Sequence, residues 1–426
     1  MKRLAALLLA LAVLAGVFVW GFATERYRVF PIQWIKRVAV VVGLRGWSEP
    51  FEMRSASPAL AALKNVPYLS GSVDPNAKAT GVIEEVAGAV APGVNFYSTL
   101  GRGDAFLVDA RGRLLWRWSL GKLFTEFEVK PGIDFGFTHV YPNGDVIAFL
   151  GEKAFFKLDK DSRLLWRHDA LAHHDAFVAA DGDIYALVHS TRDVPAIDPR
   201  HRLLLDDVLV LSPEGETRRT ISLFDAVRDS PYAFLLPKTL GLALPEGVDA
   251  VDVLHANHVE VYDGSLAALS PLFARGNLLL GMKNLNAVAI VDGRTGKVIW
   301  LWGPTNLTLP HHPTILANGH VLVFDNGTSR SQIVEVDPRT DAVTWRYAPP
   351  ADDFFSGIRG ACQRLENGDT LITLSQTGYA VEVTEDGRRV WKFANPAVSP
   401  QGFRDGIYRM TRLPESSLPF LSASPR

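Results

Sequence analysis

AVAIVDGRTGKVIWLW, residues 287–302, decides the fold. It is an apolar run, a polar turn with Gly, a second apolar run and a Trp, which reads as two paired strands. The same phrase stands at AFLVDARGRLLWRW (105–118), AFFKLDKDSRLLWRH (154–168) and DVLVLSPEGETRRTI (207–221). It returns at SQIVEVDPRTDAVTWRY (331–347) and YAVEVTEDGRRVWKF (379–393). Trp116, Trp166, Trp300, Trp345 and Trp391 hold one place in five copies, and Arg218 or a neighbour holds it in the Trp-less copy. Successive Trp lie 50, 134, 45 and 46 residues apart, with the Trp-less copy inside the long interval. A period in the forties built from strand pairs predicts a β-propeller, because one such sheet cannot bury both of its faces alone.

Upstream of the phrase lies a second pair of strands, often joined by Asn-Gly: FTHVYPNGDVIAFL (137–150), DAFVAADGDIYALV (175–188), HHPTILANGHVLVF (311–324) and ACQRLENGDTLITL (361–374). Asn-Gly between alternating apolar runs is the strongest short-range hairpin signal, since both turn residues tolerate positive φ. The fourth copy has a longer turn, HVEVYDGSLAALSPLFARGNLLLG (258–281). Four strands make a blade. The first copy has only three, and GIYRMTRLPE (406–415) is spare, so the two are expected to combine and leave no open edge. The expectation is an all-β, six-bladed propeller of four-stranded antiparallel blades over residues 93–420.

Composition agrees. The 426 residues are 47% hydrophobic with net charge −2, which gives a large core and no electrostatic bias toward nucleic acid. Gly (35) and Pro (26) supply the many turns, and the single Cys362 allows no internal disulfide. At the amino terminus Lys2 and Arg3 precede Leu4–Phe22, nineteen residues without a charge. That length suits a transmembrane signal anchor over 1–24, with the basic residues inside and the body on the periplasmic side of the cell inner membrane. Cleavage after Ala23 is the alternative. Residues 25–92 read as a juxtamembrane helix and linker, FPIQWIKRVAVVVGLRG (30–46) lying on the membrane or packing beneath the propeller.

The innermost strand of a blade lines the central channel, so residues that begin it face one mouth. Counting back eight from each turn glycine gives Gly136, His174, His311 and Gly360. The fourth blade breaks the count, but His255-Ala-Asn257-His258 precedes its first strand. Three blades thus present histidine: His173–His174, His255/His258 and His311–His312. The second strand returns to the same mouth and brings Lys283 and the DNGTSR segment, Asp325–Arg330. Imidazoles with Lys283 and Arg330 suit a compact anion: Arg is a planar fork for sulfate or phosphate oxygens, and neutral His serves as base or nucleophile. Lys153 and Arg359 read as solvated. Three converging His also suit Zn or Cu, but no HExxH-like spacing accompanies them, so neither metal nor cofactor is expected. The repeated Trp read as packing between blades.

The stretch 252–393, with its HANH, HHPTILANGHVLVFDNGTSR and QRLENGDTLITL segments, and the closing IYRMTRLP, resembles the bacterial arylsulfate sulfotransferase family. HHDAFVAADGDIYAL (173–187) extends the likeness upstream. The resemblance implies a six-bladed periplasmic propeller that moves a sulfuryl group from an aryl sulfate to a phenol through a transiently sulfated channel histidine. A second His would assist proton transfer, and an Arg would hold the sulfate oxygens. Carried over by motif, His255, His311, His312 and Arg330 take the catalytic roles, with His174, Asn257, Lys283 and Asn326 holding substrate. Departures are Pro313 where Asp is common, Lys283 where Arg is frequent, and Gly360 with no histidine after His320. A non-catalytic, membrane-anchored propeller that binds or scaffolds a protein partner is the alternative. A quinoprotein-like enzyme, suggested by VDGRTGKVIW, fits poorly with six blades and no adjacent Cys pair.

Overall fold

The computed structural model describes residues 71–100, 102–127, 135–236, 250–349 and 354–423. The expected anchor and most of the juxtamembrane segment lie outside these. Among the described residues no helix is long and apolar enough to cross a membrane.

Six antiparallel sheets form the blades. Blade one combines Val94–Thr99, Asp104–Asp109 and Leu114–Ser119 with Ile407–Leu413, which lies innermost and pairs with Val94–Thr99. Blade two is Phe135–Val140, Val146–Leu150, Ala154–Leu158 and Leu164–Asp169. Blade three is Ala172–Val178, Ile184–Arg192, Arg202–Leu211 and Thr217–Ser222. Blade four is Ala256–Val261, Leu278–Met282, Ala287–Val291 and Val298–Trp302. Blade five is Pro310–Ile315, Val321–Asp325, Gln332–Asp337 and Ala342–Tyr347, and blade six Ala361–Arg364, Thr370–Leu374, Tyr379–Val383 and Arg389–Ala394. Second strands are buried throughout in blades two, four, five and six, whereas the outermost strands of blades two and five are largely solvated. The apolar runs of the second strands are therefore sandwiched between neighbouring sheets.

The repeated Trp join the blades. Trp116 Nε1 donates to Lys160 O (2.8 Å), Trp166 to Pro213 O (3.0 Å), Trp345 to Glu385 O (2.8 Å) and Trp391 to Ala110 O (2.9 Å). Trp300 donates to Asp341 Oδ1 at 2.9 Å. Each bond reaches the outer turn of the next blade. In the Trp-less copy Arg219 stands at the same ladder position and its guanidinium donates to Gly293 O of blade four (2.5 Å). The six bonds run round the ring without a gap. A buried indole needs its N–H partnered, which is why the body packs and the tip reaches across.

Residues read as linker take a different form. Gly81–Glu85 adds a fifth strand to the edge of blade six, and Gly71–Val73 pairs with Phe403–Asp405. The fully buried Arg404 explains the second pairing: it donates to Asp74 (2.6 Å), to Asn395 O (2.5 Å) and to Ala79 O (2.8 Å), and lies over the Tyr379 ring. Blade three departs from the others because its middle strands are nine and ten residues long, and Ala250–Asp252 joins the extension in parallel.

Candidate functional site

The last ladder pair before each inner hairpin fixes the register of the channel. These pairs end at Val140, Val178, Val261, Ile315 and Arg364, and at Leu413 in blade one. Four residues back stand Gly136, His174, Asn257, His311, Gly360 and Arg409. This ring is the channel position, one residue from each blade. In blade four it is Asn257, while His258 falls at the next step with His312 and Asp175.

A cavity is lined by His174 and Asp175 of blade three, Asn257 of blade four, and His311 and His312 of blade five. Blade six gives Arg359, Gly360 and Ala361, and the closing strand gives Tyr408 and Arg409. Of the residues expected from the sequence, His174, Asn257, His311 and His312 meet there. His255 stands beside them, its ring 4.8 Å from that of His174 and its Nδ1 2.5 Å from Asp252 Oδ2. Lys283 begins the short helical turn Lys283–Leu285, and its charge helps hold His255 and His311 neutral. Arg330 is exposed on its loop and is not among the lining residues. The guanidinia at the cavity belong instead to Arg359, which is buried rather than solvated, and to Arg409.

His311 is held in one tautomer. Its Nδ1 faces two acceptors, Leu309 O at 3.0 Å and Asn326 Oδ1 at 2.7 Å. Asn326 cannot turn its amide round, because its Nδ2 already donates to Ser356 O and Arg359 O at 2.6 Å each. The ring proton therefore sits on Nδ1, and Nε2 carries the lone pair. Burial, reinforced by Lys283, pulls the His311 pKa down to about 3, so the ring is neutral near pH 7. Asn326 is fully buried behind His311 and does not line the cavity: it orients rather than touches. Burial likewise holds His174 and His312 neutral, with neighbouring histidines adding to the effect.

Arg409 is fixed by Asp175, whose two oxygens take its terminal nitrogens at 2.7 and 3.2 Å. Asp175 also accepts from His258 Nδ1 at 2.6 Å. Burial opposes charge on Asp175, but Arg409 and His258 outweigh it and depress its pKa. Burial opposes charge on His258 too, yet Asp175 and Glu260 raise it. Tyr408 donates to His174 O, and its ring lies under Arg359. Asn257 Nδ2 donates to Pro310 O (2.8 Å), leaving its Oδ1 buried without a hydrogen-bond partner among the described residues. Gly281 makes room for it, since a Cβ there would come 2.5 Å from that oxygen.

The missing histidine of blade six has a steric cause. Gly360 sits at φ +105°, and a Cβ there would lie 2.6 Å from the Phe324 ring. A Cβ on Gly136 would meet Phe149 and Tyr408 at 2.9 Å. Two of the six positions are therefore closed to any side chain. Arg409, Asp175 and Tyr408 escape sequence reasoning, Arg409 because the closing strand pairs with Val94–Thr99 from the other end of the chain and has no hairpin glycine to count from.

Fold and site together define a propeller with neutral imidazoles and buried guanidinia at its channel, suited to a compact anion. The model of the family described as arylsulfotransferase (ASST) matches residues 141–396, and the chain belongs to this family. No curated protein matches the chain. Among solved structures it is similar to a protein of unknown function from Bacteroides caccae, at 13% identity and TM-score 0.49, covering 75% of this chain and 98% of that one. A streptogramin B lyase shares 13% identity at TM-score 0.43, covering 82% and 95%. BamB from Moraxella catarrhalis shares 14% at TM-score 0.33, covering 77% of each. Likenesses of this size carry no functional argument.

Proposed function

We propose that the protein transfers a sulfuryl group from an aryl sulfate to a phenol, with His311 Nε2 as the transient carrier. The observation that carries this reading is the fixed tautomer: a neutral imidazole whose Nδ1 proton is claimed by Leu309 and Asn326, at a cavity with two guanidinia. In the first half-reaction the Nε2 lone pair forms a bond to sulfur, the bond from sulfur to the aryl oxygen breaks, and that oxygen leaves with the electron pair. The imidazolium so formed keeps its Nδ1 proton between the Asn326 and Leu309 oxygens, which stabilise the positive charge. In the second half the phenol oxygen attacks sulfur, the N–S bond breaks and His311 recovers its lone pair.

Arg359, together with the N–H groups of Arg409 that do not point at Asp175, supplies the donors for the sulfate oxygens, taking the part expected of Arg330. Neutral His312 is the candidate for the proton the phenol surrenders, while His174, whose Nδ1 faces His173 Nδ1, helps line the site. His255 orients His174 from Asp252. The span Leu4–Phe22 supports an extracytoplasmic site tethered to the inner membrane, which membrane fractionation of the full chain tests.

Incubation with p-nitrophenyl sulfate and a phenol acceptor tests the chemistry. The expected result is release of nitrophenol, with one SO₃ unit gained on the peptide carrying His311 when acceptor is withheld. No release by the unaltered protein between about pH 6 and pH 9 overturns the activity. Release that survives His311→Ala overturns the assignment of the carrier.

A further inference from the structure

Next to the channel ring, blade three holds a second group of buried polar atoms that sulfuryl transfer leaves unused. Its long middle strands run past the channel and place His189 opposite Asp206 in the ladder. His173, on the adjacent innermost strand, completes the group. Asp206 is fully buried, and among the described residues neither of its carboxylate oxygens makes a hydrogen bond of regular geometry, though the Ala256 amide lies near. His173 Nε2 is also buried, without a hydrogen bond to any described residue. A buried carboxylate without a donor costs more than the fold gains from it, so such a group calls for a ligand.

We propose that His173 Nε2, His189 Nε2 and Asp206 Oδ1 form a binding site for a divalent first-row transition ion of the Zn²⁺ type. The three ligand atoms lie within 4.8 Å of one another. Asp206 Oδ1 is 3.3 Å from His173 Nε2 and 3.6 Å from His189 Nε2. Bonds of about 2.0–2.1 Å at tetrahedral angles hold donor atoms about 3.3–3.4 Å apart, so the spacing fits an ion at the centre. Two imidazoles and one carboxylate favour such an ion over Mg²⁺ or Ca²⁺, which take oxygen ligands.

The outer nitrogens are arranged to match. His189 Nδ1 lies 2.8 Å from Glu152 Oε1, the carboxylate–histidine pairing that keeps a proton on the far nitrogen and leaves the near one free to ligate. His173 Nδ1 lies 3.0 Å from His174 Nδ1, and donation by His173 frees its Nε2 in the same way. Asp252 Oδ1, buried and without a hydrogen-bond partner among the described residues, belongs to a second carboxylate nearby, so the two carboxylates balance a divalent ion. The His173 and His189 rings stack 3.8 Å apart at 11°. Their lone pairs converge on one ion only after the rings fan apart by rotation about χ2. An ion there would fix His173 and, through it, His174 at the channel.

Untagged full-length protein, stripped with a chelator and titrated with Co²⁺ and then Zn²⁺ alone, tests the site. The expected result is one ion per chain, with a visible Co²⁺ ligand-field spectrum that Zn²⁺ displaces, and a Zn²⁺-dependent rise in Tm. Asp206→Asn and, separately, His189→Gln are expected to weaken binding by at least the roughly 10–100-fold that follows disturbance of such a site. His189 is at the rim of the cluster, so its variant reads out binding even if Asp206→Asn fails to fold. Absence of both the spectrum and the Tm rise, or binding unchanged in either variant, overturns the proposal. Neither readout involves sulfuryl transfer, so this result stands apart from that of the activity assay.

Discussion

Two rings of six residues run through this molecule, and they behave oppositely. The outer ring is Trp116, Trp166, Arg219, Trp300, Trp345 and Trp391, each reaching a turn of the next blade. The inner ring is Arg409, Gly136, His174, Asn257, His311 and Gly360. Outside, one task is done six times, and all but one of the residues are Trp. Inside, equivalent backbone positions carry Arg, Gly, His and Asn. Symmetry therefore carries stability, and its breakdown carries chemistry. Substitutions inside should change activity more than stability, and substitutions outside the reverse.

The largest expected effect is at His311. His311→Ala should lower nitrophenol release by about 10³-fold or more, as removal of a covalent carrier does. Its stability cost, from leaving Asn326 Oδ1 without its donor, should stay near 1–3 kcal/mol. Asn326→Ala keeps the carrier but frees its tautomer, and should cost about 10–100-fold, mostly in kcat. An Asn326→Ala loss confined to KM would sink the orienting role.

Arg409 is where the two behaviours meet, because it belongs to the inner ring yet anchors a buried charge network. Arg409→Ala leaves Asp175 with His258 and the Ala176 amide but no guanidinium, and should cost about 3–5 kcal/mol in unfolding experiments. Arg409→Lys restores the charge without the fork, so stability should recover more than activity. Equal recovery of both would show that the planar fork is not used.

How much of this is legible in the sequence follows the same division. The outer ring is readable because a repeated task leaves a repeated letter. Even the exception, Arg219, lies one residue from the position the repeat marks. The inner ring is only half readable. A count back from the turn glycines finds Gly136, His174, His311 and Gly360, but blade four's longer turn shifts attention from Asn257 to His255. Blade one offers no count at all, since its inner strand arrives from the other end of the chain, and so Arg409 stays hidden while Arg330 is favoured. Gly360 looks like a lost histidine; the Phe324 ring beside it is a contact that no local pattern encodes. Arg404 and Asp74, 330 residues apart, pin a segment that composition alone marks as linker.

The inner ring should also reveal itself in pH. His174, His311 and the neighbouring His312 are held neutral by burial, His311 with its pKa down to about 3. Their folded pKa values lie below the ordinary histidine value, so the unfolded chain takes up protons first as pH falls. The stability they contribute is present above about pH 6.5 and is lost as pH drops from there toward 3. Asp175, whose pKa is depressed, acts in the same direction at lower pH, while the raised His258 opposes both by losing its contribution as pH rises. Tm should therefore fall between about pH 6.5 and pH 4, and His312→Gln should flatten that fall. A Tm independent of pH over this window would mean that the inner rings are not buried as neutral groups.

The smallest effects belong to the outer ring, and they sharpen the contrast most cleanly. Trp391→Phe keeps an aromatic body but removes the N–H that reaches Ala110 O together with part of a fully buried indole, so it should cost about 1–3 kcal/mol. Arg219→Ala removes the matching bond to Gly293 O and should cost about 1 kcal/mol for that bond, because the two residues do one job at equivalent seams. Both variants should release nitrophenol at the unaltered rate, since neither residue lines the cavity. If Arg219→Ala left chemical denaturation unchanged while Trp391→Phe did not, the third seam would be held by something other than its outer-ring bond. The ring would then be five-membered in energy, though six-membered in geometry.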